Sequence, residues 1–201
     1  MSKIHITKKI NFVAGHRVHS QNLPKSLGPN KCRFLHGHEY MLELFITSDL
    51  DESGMVLDFT FFNYLNDFIQ RFIDHRFILD INDPLFDSIT GVTSKKIAKC
   101  LVYYTITVID GKIELVSTDK ENSLFSKFNR YSLFNNCYKE FSDEHKQSFI
   151  IVDFVPTAEN LCNWFVKIFD RMKTIGLIPT KIQLSKIRLY ETQKAYVELI
   201  L

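Results

Sequence analysis

Several features are missing from this chain. Its four cysteines, Cys32, Cys100, Cys137 and Cys162, lie far apart and form no CxxC pair. A disulfide scaffold is therefore not expected, and reduced thiols in a cytoplasm are the default. The net charge is only +2 and no run of five basic residues occurs, so nucleic acid is not an expected partner. No segment approaches the roughly 18 uninterrupted apolar residues of a membrane span. The opening "MSKIHITKKI" alternates polar and apolar, where a signal peptide would be continuously apolar. No internal repeat or low-complexity tract is present. What the chain does have is 201 residues, 45% apolar and 13% aromatic. That is enough for a single globular domain with a sizeable core, and it argues against disorder.

The periodicity predicts an α+β order. Residues 3–13 alternate as a strand, and 39–47, "EYMLELFIT", do so with Tyr40, Leu42, Leu44 and Ile46 on one face. After the turn "SDLDESGM", Asp58 can cap a helix in which Phe61, Phe62, Leu65, Phe68, Ile69 and Phe72 recur at helical spacing. A second helix opens at Pro156–Thr157, with Thr157 as N-cap and Glu159 in its first turn. Its core stripe is Leu161, Trp164, Phe165, Ile168, Phe169 and Met172. Strands 181–191 and 195–201, joined by "TQK", close the chain. With residues 86–150 set aside as an insertion, this order suits a four-stranded antiparallel sheet with two helices on one face. The insertion carries a hairpin signal at Asp110–Gly111. A polar, less ordered segment is expected to follow it.

In "CRFLHGHEY", His36 and His38 are two apart and so share one strand face, with Gly37 between them permitting close backbone approach. His16 ends the first strand in "NFVAGHRV". If the first two strands pair antiparallel, His16 meets the other two. Three neutral imidazoles there would leave one metal position open, as in catalytic zinc sites. The plainer alternative is a surface HxH and a satisfied turn histidine.

Cys32 precedes the pair in a loop bounded by Gly28–Pro29. Near a cation or an imidazolium its thiol could serve as base or nucleophile, or it could be a fourth ligand that closes the site. The other three cysteines read as small buried apolar residues. Asp74–His75, in "FIDHRFILDI", pairs a carboxylate with an imidazole in a form suited to proton transfer. Glu191 continues the apolar face of Ile187 and Leu189, so it either has a partner or frays into solvent at the strand end.

In chain order, "FVAGHRV", "KCRFLHGHEY", "DESGMVLDF", "IDHRFILDI", "PTAEN" and "IRLYET" resemble the 6-pyruvoyl-tetrahydropterin and 6-carboxytetrahydropterin synthase family. The resemblance implies a tunnelling fold (T-fold) whose sheets join between subunits, as a homo-oligomer, a hexamer built as a dimer of trimers. It implies Zn2+ on His16, His36 and His38, and 7,8-dihydroneopterin triphosphate, a small pterin triphosphate, as substrate. It makes Cys32 the general base, His75 with Asp74 the proton relay, and Glu191 the pterin anchor. Thr157 and Glu159 match the family's PTxE element near the pterin pocket, while helix capping explains them equally well.

The three residues between Cys32 and the HGH run resemble the carboxy synthases of the queuosine route, which release acetaldehyde; five would resemble the pyruvoyl synthases of the biopterin route. A third reading, from another class, is a non-catalytic pterin-binding or assembly protein that keeps the fold. Retention of Cys32, His75 and Glu191 together favours an enzyme.

Overall fold

The longest pairing in the chain joins β1 (Ile4–His16) to β2 (His36–Ser48), antiparallel, from Ile4 opposite Ser48 to His16 opposite His36. The computed structural model describes residues 4–91, 103–118, 121, 124–126 and 148–201. Even-numbered residues of both strands face inward. Ile10, Phe12 and Ala14 on β1 and Tyr40, Leu42, Leu44 and Ile46 on β2 are all buried, as the period of two requires.

On the other side of β2 lies β8 (Gln183–Thr192), antiparallel, and then β9 (Ala195–Ile200). The β2–β8 register shifts between Phe45 and Ile46, and the Ser185 hydroxyl bonds to the Phe45 carbonyl there (3.0 Å).

The sheet has six strands rather than the four expected. Two more, β3 (Arg76–Asp80) and β7 (Phe149–Val152), extend it beyond β1, and both pair parallel, giving the order β7-β3-β1-β2-β8-β9. Both are short apolar runs without alternation. They are covered on both faces, which is the usual condition of parallel strands. Leu79 of β3 and Ile151 of β7 pack with Phe86 of α2 (Phe86–Thr90) in a small satellite cluster. The stretch 86–150 therefore begins and ends inside the main structure.

α1 (Phe62–Phe72) buries Phe62, Leu65, Phe68, Ile69 and Phe72. Asp58 caps the short 3-10 turn Phe59–Phe61 that leads into it, its carboxylate accepting from the Thr60 N–H (2.8 Å). α3 (Ala158–Thr174) starts at Thr157, whose hydroxyl accepts from the Asn160 N–H (3.3 Å), and buries the whole stripe from Leu161 to Met172. Both helices share one core with the inward face of β1 and β2.

β4 (Tyr103–Ile109) and β5 (Lys112–Thr118) form a hairpin, and β6 (Phe125–Ser126) adds a third strand. Asp110 and Gly111 take positive φ in the turn (49° and 73°), the geometry of a two-residue hairpin. The hairpin packs on the helix layer. Arg71 donates to the Ile113 carbonyl (2.6 Å), Arg171 to the Ile106 carbonyl (3.1 Å) and Trp164 to the Leu124 carbonyl (2.7 Å). Ile106 and Ile113 are buried in the main core, and a small sheet with an apolar face needs such cover. The less ordered segment expected after the hairpin lies largely outside the described residues. Among the described residues no helix is long and apolar enough to cross a membrane.

Phe165 meets Phe12 edge-on (centroids 5.7 Å) at the junction of α3 and β1. Phe165→Ala should lower unfolding free energy by about 3–5 kcal/mol, the usual loss for a buried phenylalanine. Exposed Lys167→Ala on the same helix should change it by less than about 0.5 kcal/mol. Urea titration of both variants checks the contrast.

Candidate metal centre and active site

The β1–β2 register sets His16 opposite His36, Gly15 opposite Gly37 and Ala14 opposite His38. The glycine pair lets backbones and a ring approach closely. A Cβ on Gly37 would lie 3.0 Å from the Ala14 carbonyl oxygen, and one on Gly15 only 2.3 Å from the Phe77 ring. The three imidazole centroids stand 4.4, 5.1 and 5.0 Å apart. One nitrogen from each lies within 4.8 Å of the others.

Hydrogen bonds fix two tautomers. His16 Nδ1 contacts the Pro156 carbonyl (2.7 Å) and His36 Nδ1 the Phe34 carbonyl (2.8 Å). A carbonyl only accepts, so each Nδ1 carries the proton and each Nε2 keeps its lone pair. Nε2 of His16 and of His38 are buried without a hydrogen-bond partner. Burial, with the neighbouring His36 and His38, pushes His16 down from 6.5 to about 4, and burial likewise lowers His38. Three converging imidazoles, with orphaned Nε2 atoms on His16 and His38 and with His16 and His36 oriented from behind, fit a divalent metal with an open position.

Glu191 sits on the inward face of β8 beyond Ile187 and Leu189, and it does not fray into solvent. Its Oε1 is 3.3 Å from His16 Nε2 and 3.6 Å from His38 Nε2, with the side chain 32% exposed. The structure thus places this carboxylate at the histidine cluster itself. Tyr40, two residues beyond His38, is fully buried with an unpartnered hydroxyl. Burial, and then the nearby Glu191 and Cys32, raise its pKa well above the usual phenol range.

Cys32 lies half-buried in a 3-10 turn, Lys31–Arg33. Its carbonyl accepts from the Val18 N–H (2.8 Å) and its own N–H donates to Gln21 Oε1 (3.0 Å). Next to it, the Arg33 carbonyl accepts from Arg17 Nε (2.5 Å), and Arg17 is ion-paired with the buried carboxylate of Asp83. Cys162, by contrast, is a core residue of α3, its thiol pushed up to about 11 by burial.

Asp74 and His75 do form a dyad. Asp74 Oδ2 meets His75 Nδ1 at 2.6 Å, and Oδ1 accepts from the Val13 N–H (2.7 Å). His75 takes a left-handed φ of 58°, and its N–H donates to the Val13 carbonyl (2.7 Å). Its side chain is 79% exposed, and among the described residues no hydrogen bond joins it to Cys32 or to the three histidines. Thr157 caps α3, and Glu159 in the first turn is exposed. Sequence reasoning missed Pro156, Arg17, Gln21 and Asp83. Pro156 adjoins the Thr157 cap and Arg17 follows His16, whereas Gln21 and Asp83 adjoin no residue already singled out.

A family model described as 6-pyruvoyl tetrahydropterin synthase matches residues 5–200. A protein from Aquifex aeolicus named 6-carboxy-5,6,7,8-tetrahydropterin synthase is 44% identical over 103 residues, 46% of this chain and 63% of that protein. The matched region thus spans less than two thirds of that relative. One of the same name from Rickettsia conorii is 35% identical over 127 residues, 62% of this chain and 82% of the relative. A crystal structure of an uncharacterised protein from Wolinella succinogenes superposes with a TM-score of 0.74 at 28% identity, covering 100% of this chain and 99% of that one. A 6-pyruvoyltetrahydropterin synthase structure from Plasmodium vivax, at 13% identity and a TM-score of 0.54 with both chains fully covered, shares the fold.

The depressed His16 has a measurable consequence in the metal-free protein. Folded, it takes up a proton at about pH 4; unfolded, near 6.5. Between those values the unfolded chain binds more protons, so stability is full above pH 6.5 and falls as pH drops toward 4. The loss from this one group should be roughly 3 kcal/mol. Urea midpoints across this range should show the decline, and His16→Asn should remove most of that slope.

Proposed function

The chain belongs to the 6-pyruvoyl tetrahydropterin synthase family of enzymes, and from that premise we propose that it is a zinc-dependent lyase. It converts 7,8-dihydroneopterin triphosphate and one water to 6-carboxy-5,6,7,8-tetrahydropterin, acetaldehyde and triphosphate. The observation that carries this reading is the convergence of one nitrogen each from His16, His36 and His38, with those of His16 and His38 buried and without a hydrogen-bond partner. Support for the carboxy product comes from the relatives of that name and from the three-residue tether between Cys32 and His36.

His16, His36 and His38 would hold the ion, which when bound supplies Lewis acidity toward the hydroxyls of the substrate side chain. Cys32 accepts the proton removed from that side chain. His75, oriented by Asp74 through the 2.6 Å contact, returns a proton where the departing fragments need one. Glu191 accepts the 2-amino and N3–H donors of the pterin in a charge-assisted pair. Thr157 and Glu159 line the pterin pocket from the N-terminal turn of α3, immediately after the Pro156 carbonyl that orients His16. Assembly of several copies, as a hexamer in the cytoplasm, belongs to the same proposal. It would give the exposed His75 a route to a Cys32 that it does not touch within one chain.

Incubation of the zinc-loaded protein with dihydroneopterin triphosphate should release acetaldehyde and triphosphate in equal amounts, the aldehyde counted as its hydrazone. Triphosphate without acetaldehyde, beside a pyruvoyl pterin, would overturn the carboxy product in favour of the pyruvoyl one. Cys32→Ala should keep its metal and lose turnover, whereas His16→Ala should lose the metal. Zinc retained in full by His16→Ala would exclude the three-histidine site.

A further inference from the structure

We infer that Gln21 is a positioning residue for Cys32, an inference that rests on the catalytic role proposed for that thiol. Residues 17–35, between the two strands that carry the histidines, contain no element longer than the 3-10 turns Lys25–Leu27 and Lys31–Arg33. A three-residue tether from His36 leaves the thiol several backbone torsions of freedom, so its place must be set from elsewhere. It is set from the His16 side.

Val18, two residues past His16, donates its N–H to the Cys32 carbonyl (2.8 Å). The Val18 carbonyl in turn accepts from the Gln21 N–H (3.1 Å), closing a turn that aims the Gln21 side chain back at the cysteine. Gln21 Oε1 then accepts the Cys32 N–H (3.0 Å). Both polar backbone groups of Cys32 are therefore held by one turn that begins two residues after a metal-ligating histidine. The Val18 bond is backbone-only and survives most substitutions. The Gln21 bond depends on a side chain of one length with an acceptor at its end. Asparagine is a carbon too short, and leucine fills the space without the acceptor.

A thiol that must take a proton from one carbon of a bound substrate is sensitive to its place; an error of about 1 Å costs on the order of 100-fold in rate. Gln21→Leu should keep the metal content and thermal midpoint of the wild type. It should lower kcat by about 10- to 100-fold and change KM by less than about threefold, because the substrate is held elsewhere. Alkylation of Cys32 by iodoacetamide, read by peptide mass spectrometry against buried Cys162, should become at least about threefold faster once the cysteine is unpinned. Gln21→Glu restores the acceptor and should recover most of kcat. Its pH–rate profile should move to higher pH, because a carboxylate beside the thiol disfavours the thiolate.

A Gln21→Leu kcat within about twofold of wild type would overturn the inference. So would a loss accompanied by loss of metal or of thermal stability that Gln21→Glu does not rescue. If the wild-type protein does not turn over the pterin triphosphate, it is the functional reading that fails. The alkylation rates then decide the positioning alone, and equal rates in wild type and Gln21→Leu sink it.

Discussion

The uninterrupted pairing of β1 with β2 is the constraint on which the rest of the molecule depends. Side chains alternate along a strand, so a slip of one residue in this ladder would exchange its two faces. Tyr40, Leu42, Leu44 and Ile46, all fully buried, would turn to solvent at about 1.5–3 kcal/mol each. Those four residues alone outweigh what any single contact among the histidines could supply. The apolar half of β2 therefore enforces a register from which the polar half benefits: with Leu44 and Ile46 inside, His36 and His38 are inside too. The histidine cluster is the continuation of the core, built with imidazole on the same strand face.

The parts that were legible in the sequence are those where a local period decides the answer. Residues two apart put His36 and His38 on one face, and the stripes of α1 and α3 were legible residue by residue, save Phe61, which falls in the 3-10 turn before α1 and is only partly buried. Asp110–Gly111 carried its own turn chemistry. The illegible parts depend on distant partners. "RFILD" and "FIIV" are apolar runs too short for period to separate a strand from a buried helix. Their parallel pairing joins Ala14–His16 to Arg76–Ile78, and Phe77–Asp80 to Phe149–Val152, contacts that no local pattern announces. Glu191 was visible as a carboxylate on an apolar face. Its arrival beside His16 depends on the β2–β8 register, with Met41 opposite Tyr190, which only the pairing itself reveals. Gln21 gave no signal at all, because an accepting amide in a loop has no spacing rule.

The outward face of the same sheet follows a different logic. Glu43 is buried there among Lys9 (3.5 Å), Arg188 (3.5 Å) and the Tyr190 hydroxyl (3.2 Å). Arg188 also pairs with Glu198 and lies over the rings of Phe45 and Tyr196. A buried carboxylate is tolerable only when so compensated. The sheet thus separates an apolar layer that fixes its geometry from a charged layer that leaves the histidine end undisturbed.

The parallel neighbours β3 and β7 bear on how this chain can change length. Parallel strands cannot be joined by a tight turn; a crossover is obligatory. Once the ends of that crossover are fixed by the ladder from Phe77–Phe149 to Asp80–Val152, the entropy of closing it grows only logarithmically. Each doubling of its length costs about 0.6 kcal/mol. The connection spanning residues 81–148 can therefore change length between its packed elements at little entropic cost, while the strands that present the histidines keep their register. Such changes are tolerated only where Asp83 keeps its pairing with Arg17 and where Ile106 and Ile113 keep their places in the core.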